Sequence, residues 1–129
     1  MKKYIDGFVF PVPKARLSAY QKVAEKVAEI WKAHGAIAYC EFVGDEMTLP
    51  GTKSFIDTVE VQEDEVVVFG WVVFPSKEVR NSANESVPKD PRMEALVSPL
   101  MNPDKRIFDA TRMVYGGFQS LVESSSELT

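Results

Sequence analysis

The chain has 129 residues, a formal net charge of −4 and a single cysteine, Cys40. This length suits one domain with its own core, the acidic balance disfavours nucleic acid or an anionic membrane as a partner, and one cysteine excludes an intrachain disulfide. No apolar run approaches the length of a membrane span. We therefore expect a cytoplasmic protein, with one domain over residues 1–122 and a frayed polar tail over residues 123–129.

The chain opens with a predicted strand and a predicted helix. The strand runs from Tyr4 to Phe10 and is expected to end at Pro11 and Pro13, because proline cannot donate to a ladder. Residues 14–33 predict an amphipathic helix, since apolar side chains recur on one face and charged ones on the other. Gly35 is placed to end this helix as a left-handed C′ residue.

The middle of the chain predicts two further strands. Residues 37–43 predict a strand, whereas residues 53–61 fit either a strand arm or a short helical turn. Residues 66–74 carry no charge and are rich in β-branched and aromatic side chains, which is typical of a strand covered on both faces. One face would carry Val66, Val68, Gly70, Val72 and Phe74, and the other Val67, Phe69, Trp71 and Val73.

The last third predicts a thin helix and a final strand. Ser76 is a candidate N-cap, and the apolar stripe that follows contains only Val79, Ala83 and Val87. A short helical turn is expected over residues 92–97, and the closing strand over residues 112–122.

This order of elements predicts an α+β, ferredoxin-like βαββαβ fold with a four-stranded antiparallel sheet and two helices on one face. Two helices cover only one face of such a sheet, and the other face is also apolar. We expect a second copy of the chain to cover it, which gives a homodimer packed sheet to sheet.

Motifs along nearly the whole chain carry a family resemblance. The opening run, residues 4–9, leads into Pro11-Val12-Pro13, and the closing run, residues 112–118, contains Gly116-Gly117. Further motifs are Trp31 with His34-Gly35, Gly44-Asp45, Ser54-Phe55, Val67-Phe69-Trp71 with Ser76, Asp90-Pro91-Arg92 and Phe108-Asp109. Together they resemble the YbaA-like family, a bacterial domain of unknown function. The resemblance implies a dimeric α/β barrel built from two ferredoxin-like protomers, but it supplies no catalytic residues.

Five side chains are candidates for a pocket: His34, Tyr39, Trp71, Arg112 and Tyr115. His34 falls within the apolar arc of the first helix and is expected to point to the sheet, as an acid–base group or as a cap on the last helix carbonyls. The three rings fit either a ligand cavity or core and interface packing. Arg112 fits an anion clamp or an ion pair, since Asp6, Glu41 and Arg112 are the charges placed inside predicted strands.

The sequence contains no metal-ligand spacing and no phosphate-binding glycine loop, so we expect neither a metal nor a cofactor. The small side chains Ser82, Ala83 and Ser86 would leave a gap above the sheet, unless Met93, Leu96, Leu100 and Met101 fill it. The leading hypothesis is a homodimer of unknown function that binds a small apolar or aromatic molecule between sheet and helices. By analogy with the superfamily that the resemblance implies, this would be a cofactor-free monooxygenase-like or isomerase-like protein. The alternative is a non-enzymatic regulatory or protein-interaction dimer, and nucleic-acid binding is disfavoured.

Overall fold

The computed structural model describes residues 2–102 and 106–124. Its strands are β1 (Tyr4–Pro13), β2 (Ala38–Val43), β3 (Glu65–Phe74) and β4 (Val114–Gln119). Its helices are α1 (Leu17–Ala33), α2 (Phe55–Thr58), α3 (Lys77–Ser86) and α4 (Pro91–Val97). No helix in this described part of the chain is long and apolar enough to cross a bilayer. Most of the predicted polar tail, residues 125–129, lies outside the described residues.

The four strands form one antiparallel sheet in the order β2-β3-β1-β4. The central strands β1 and β3 align over ten residue pairs, from Tyr4 opposite Phe74 to Pro13 opposite Glu65. α1 connects β1 to β2, and α3 with α4 lies between β3 and β4. The ferredoxin-like fold predicted from the order of elements is therefore confirmed.

The first strand continues through both prolines, so its predicted end at Phe10 is wrong. The Lys14 N–H donates to the Asp64 carbonyl at 2.8 Å, immediately after the β1–β3 ladder. Even-numbered residues of β1 thus bond to β3, and odd-numbered residues direct their N–H groups to the β4 side. β4 pairs with only the first six residues of β1. Pro11 and Pro13 therefore lack an N–H where the sheet has no acceptor beside them.

The last strand is shorter than predicted, because Arg112 lies before it in a 3-10 turn (Ala110–Arg112). The Asp109 side chain starts this turn by accepting a hydrogen bond from the Thr111 N–H at 3.1 Å. The ambiguous segment at residues 53–61 forms the helical alternative, α2, whose N-cap Ser54 accepts from the Ile56 N–H at 3.1 Å.

Side chains of β3 alternate between the two faces of the sheet as predicted. Phe74 is buried on the helix side and packs with Ile30 of α1 and Ala83 of α3. Ser76 caps α3 as predicted, since its hydroxyl accepts from the Val79 N–H at 3.2 Å. A second buried cluster on this side contains Phe10, Val12, Val68, Leu100 and Ile107.

The opposite face of the sheet is covered only in part by its own chain. At one end Val9, Val59 and Val67 are buried together, because the connection between β2 and β3 folds across them. The remaining surface, which we call the open face, is aromatic. The Trp71 ring stacks on Phe42 at 5.3 Å between centroids. Phe69 and Phe118 are exposed on the same face, and Phe55 of α2 packs on the Phe69 ring at 5.5 Å between centroids.

Gly35 ends α1 in the predicted position. The Ala36 N–H donates to the Trp31 carbonyl and the Gly35 N–H to the Lys32 carbonyl, which is the Schellman arrangement. Gly35 has a φ of +111°, and a Cβ placed on it would lie 2.7 Å from Val79 Cγ1 of α3. The glycine therefore permits both the chain reversal and the close approach of the two helices.

We expect Gly35→Ala to lower the free energy of unfolding by about 2–4 kcal/mol, because it combines left-handed backbone strain with a steric clash. Urea unfolding monitored by circular dichroism measures this change. Gly51→Ala is the matched control, since Gly51 has a φ of +85° and nothing within 4 Å of its Cβ position. Equal losses in the two variants would contradict the role given to the Val79 contact.

Candidate functional site

A cavity of about 440 Å³ lies on the helix side of the sheet. Its walls are mainly apolar and aromatic, and they come from α1, from β1 to β3 and from the segment that follows α3. The lining side chains are Phe8, Phe10, Val23, Ala24, Val27, Trp31, Val72, Pro88, Val97, Leu100, Phe108 and Met113, with Asp6, Tyr20, Tyr39, Asn84 and Tyr115 as the polar members. α3 contributes only Asn84, so the space lies beneath α1 more than beneath the small side chains of α3.

Gly70 sets the depth of the cavity. It lies opposite Phe8 in the β1–β3 ladder. A Cβ on Gly70 would lie 2.6 Å from the Phe8 ring and 2.9 Å from the Cys40 carbonyl oxygen. The missing side chain allows the Phe8 ring to lie low over the sheet, where it stacks on Phe10 at 5.9 Å between centroids.

One end of the cavity holds a buried ion pair. Asp6 is 5% exposed and accepts from Arg80 Nε at 3.0 Å. Tyr115 donates its hydroxyl proton to Asp6 Oδ1 at 2.7 Å and accepts from Arg80 Nη2 at 2.9 Å. The Arg80 guanidinium also stacks over the Tyr4 ring at 4.8 Å. Each polar atom at this end has a partner of opposite character, so the cluster is electrically balanced.

The other end holds a carboxylate between two phenols. Tyr39 donates to Glu41 Oε2 at 2.6 Å, and Tyr20 makes a short hydrogen bond to Glu41 Oε1. Tyr39 and Glu41 reach the same side of the sheet because they are two residues apart on β2. Tyr20 comes from α1 and closes the cluster from above. Among residues 2–102 and 106–124, no ion pair involves Glu41.

The surroundings of Glu41 make its ionisation more costly than that of an exposed carboxyl group. Burial raises the pKa of the Glu41 carboxyl above its ordinary value of 4.5, and the hydrogen bonds from the two tyrosines oppose that rise. Burial, followed by the nearby carboxylate, raises the pKa of Tyr20 and Tyr39, so both hydroxyls keep their protons.

Of the five residues predicted to form a pocket, two lie on the wall of this cavity. Tyr39 lies at the Glu41 end and Tyr115 at the Asp6 end. The other three lie elsewhere, each for a different physical reason.

His34 is the C-cap residue of α1 and does not line the cavity. Its Nε2 donates to Asp90 Oδ2 at 3.0 Å instead of reaching the sheet or the last helix carbonyls. Hydrogen bonds from Arg92 and then from His34 hold the pKa of Asp90 well below its usual range. The helix wheel puts His34 within the apolar arc, but as the C-cap residue of the Schellman turn it lies past the last regular turn of α1.

Trp71 lies on the open face, away from the cavity, because odd-numbered residues of β3 point away from the helices. It lines a different hollow of about 520 Å³, together with Cys40 and the segment after β4. The sequence showed that Trp71 and Gly70 point in opposite directions, but it did not show which of them faces the helices.

Arg112 joins the start of β4 to the start of β3. Its Nη1 and Nη2 donate to the two oxygens of Glu65, both at 2.7 Å, and its Nε donates to Asp109 at 3.0 Å. These hydrogen bonds lower the pKa of Glu65 and raise that of Arg112. The guanidinium donors of Arg112 that could clamp an anionic ligand are therefore bonded to the protein's own carboxylates.

The five candidates do not include four polar members of the site: Asp6, Tyr20, Glu41 and Arg80. The sequence identifies Asp6 and Glu41 only as charges inside predicted strands. Glu41 shares its strand parity with Tyr39, and that pattern could have placed it at the site. Tyr20 falls within the apolar arc of α1, where its hydroxyl has to find a partner. Arg80 gave no signal, because its pairing with Asp6 joins residues that are far apart in the sequence.

The described residues, 2–102 and 106–124, contain no group of three His, Cys, Asp or Glu side chains arranged to hold a metal ion. The polar side chains on the cavity wall are those of Asp6, Tyr20, Tyr39, Asn84 and Tyr115.

Several solved structures share this fold. A dimeric ferredoxin-like protein from an uncultured marine organism aligns with a TM-score of 0.56 and 11% identity, over 98% of this chain and 95% of that chain. A nipsnap family protein of unknown function from Agrobacterium tumefaciens aligns with a TM-score of 0.54 and 18% identity, over 95% of this chain and 91% of that chain. At these identities the likeness shows the fold alone.

Sequence comparison shows the family. The uncharacterized protein YbaA of Escherichia coli strain K12 is 38% identical over 121 residues, which is 94% of this chain and 98% of that protein. The family model described as a protein of unknown function, DUF1428, matches residues 3–110. The resemblance seen in the sequence motifs is thus confirmed, and the chain belongs to the DUF1428 family.

Proposed function

We propose that this protein is a homodimer that binds a small apolar or aromatic molecule in the cavity between α1 and the sheet. The observation that carries the proposal is the cavity itself, with its volume of about 440 Å³ and its apolar walls. Pockets for small molecules are typically concave and apolar, with a few convergent polar groups that orient the ligand. In this cavity the polar groups form two clusters, one around Asp6 on β1 and one around Glu41 on β2. Because β3 lies between these two strands, the clusters are two strand spacings apart, about 10 Å.

Glu41 adds a second line of support. Its raised pKa means that the ionised side chain lowers the stability of the folded chain relative to an exposed carboxylate. A buried ionisable group in a cleft, with its pKa shifted by desolvation, is typical of functional sites. A valine or leucine at this position would pack the layer at lower cost, so a role in ligand binding accounts for the carboxyl group.

The dimer is supported by the open face. Phe42 and Phe118 are 59% and 58% exposed there, and Phe69 and Trp71 lie between them on the same face. Contiguous apolar surface of this kind marks an interaction site. The marine ferredoxin-like neighbour is described as dimeric. A second copy on the open face would leave the cavity accessible, since the cavity lies on the other side of the sheet.

Phe69→Glu tests the dimer. We expect this variant to shift the mass in solution from twice the chain mass of 14.5 kDa towards a single chain, because it would place a charge within an apolar interface. Sedimentation velocity at micromolar concentration measures the mass. Met101→Glu is the control, since Met101 is an exposed apolar residue in the turn after α4, on the helix side. A wild-type chain that sediments as a monomer would refute the dimer.

Ala24→Trp tests the cavity, because Ala24 lies on its wall and the larger side chain would occupy the space. We expect the affinity for 2-naphthol, measured by fluorescence titration, to fall by about tenfold or more, which corresponds to about 1.4 kcal/mol. Ala19→Trp makes the same change on the exposed side of α1 and should leave the affinity unaltered. Equal binding by both variants would show that the probe binds elsewhere.

The pH dependence of stability tests the environment of Glu41. A raised pKa in the folded state means that the wild-type chain loses stability as the pH rises from 4.5 through the pKa of folded Glu41. Glu41→Gln lacks this loss. The difference in unfolding free energy, variant minus wild type, should therefore rise with pH in that window, by at most about 1.4 kcal/mol per pH unit.

Urea unfolding at a series of pH values measures this difference, and subtraction of the wild-type curve removes the contributions of other carboxyl groups. Glu46→Gln is the matched control, because it makes the same chemical change at an exposed side chain. A rise of the same size in that control, or a flat difference for Glu41→Gln, would contradict the assignment.

A further inference from the structure

Tyr20, Tyr39 and Glu41 form what we call the Glu41 cluster, and both of its hydrogen bonds run from a tyrosine hydroxyl to the carboxyl group. Tyr39 and Tyr20 each donate to a different oxygen of the same carboxylate. An ionised carboxylate accepts hydrogen bonds and cannot donate one, and a phenol has a single proton to donate. Both tyrosine protons are thus directed at Glu41, and the lone pairs of the two phenol oxygens remain available.

Both tyrosine side chains also line the cavity. The polar group that this end offers to a ligand is therefore a pair of acceptor oxygens, each of which donates its own proton to Glu41. An incoming hydroxyl or N–H group would complete their hydrogen bonding. A carbonyl or ether oxygen would place lone pairs against lone pairs. An anion would approach the Glu41 carboxyl group, which has no cation beside it among the described residues.

The end of the cavity at Asp6 has no comparable pair of free acceptor oxygens. Tyr115 donates to Asp6 at 2.7 Å and accepts from Arg80 at 2.9 Å. Arg80 directs its remaining guanidinium nitrogen, Nη1, to the Asn81 side chain at 2.9 Å. The donors and acceptors of this end are paired with one another, and the Asn84 amide is a further polar group on the wall. We therefore assign the selectivity for a donor to the two phenol oxygens beside Glu41, which keep free lone pairs.

We infer that the cavity selects neutral aromatic molecules that carry a hydrogen-bond donor, an O–H or N–H group, and that the phenol oxygens of Tyr20 and Tyr39 accept that donor. Glu41 acts as the positioning residue, because it fixes the direction of both tyrosine protons. This inference rests on the proposed ligand-binding function and specifies the chemical class of the ligand.

A matched pair of probes tests the selectivity. 2-Naphthol and 2-methoxynaphthalene share the same ring system, and only the first carries a donor. We expect the wild-type chain to bind 2-naphthol about tenfold to a hundredfold more tightly in a fluorescence titration at neutral pH. 2-Naphthoate, an anion on the same ring system, should bind more weakly than 2-naphthol.

Glu41→Gln distinguishes a positioning role from a structural one. A glutamine amide offers one acceptor oxygen and one donor nitrogen, so only one tyrosine can still donate to residue 41. The other tyrosine accepts from the amide and can turn its proton towards the cavity. The preference for 2-naphthol over 2-methoxynaphthalene should then fall to about threefold or less, whereas Glu46→Gln should keep the wild-type ratio.

The possible outcomes separate the two claims. If the wild-type chain binds neither naphthol nor the methyl ether, the proposed ligand-binding function fails and the inference fails with it. If both bind with equal affinity and Ala24→Trp weakens both, the cavity is a ligand site but the inferred selectivity is wrong. A Glu41→Gln variant that weakens both probes by the same factor would also overturn the positioning role. Tighter binding of 2-naphthoate than of 2-naphthol would overturn the inference without any variant.

Discussion

The long ladder between β1 and β3 is the constraint on which the rest of the structure depends. Ten consecutive residue pairs fix the register of the two central strands, and a shift by one residue would exchange the faces of every side chain on them. Register decides that Asp6, Phe8 and Phe10 line the cavity and that Trp71 faces away from it. The prolines in β1 fit the ladder because their missing donors fall beyond the end of β4.

The two polar ends of the cavity show how a small α+β layer can hold charge in two ways. Asp6 has Arg80 beside it, and truncation of one partner would leave an uncompensated buried charge. Glu41 has only neutral phenols. The first arrangement ties α3 to the sheet and leaves little polar capacity free. In the second, a carboxyl group that is costly to ionise sits behind two hydroxyls on the cavity wall.

Much of the fold follows from local patterns. The alternation along β3, the amphipathic face of α1, the cap at Ser76 and the end of α1 at Gly35 each depend on residues close in sequence, and the structure confirms them. Fewer of the contacts within the site could be predicted from the sequence. Strand parity is enough to place Tyr39 and Glu41 on one face of the sheet, but the pairing of Arg80 with Asp6 and of Arg112 with Glu65 joins distant residues. Local pattern also cannot show which face of β3 receives the helices, so the sequence alone does not separate Trp71 from the cavity residues.

Gly70 has a consequence that reaches beyond packing. It does not line the cavity, yet its missing side chain is what allows the Phe8 ring to lie low. A larger residue at this position would displace that ring and make the cavity shallower, although the residues that line it would have the same identities. The depth of the proposed ligand cavity therefore depends partly on a position that a search for lining residues would overlook. Two proteins with identical cavity walls could accept molecules of different thickness.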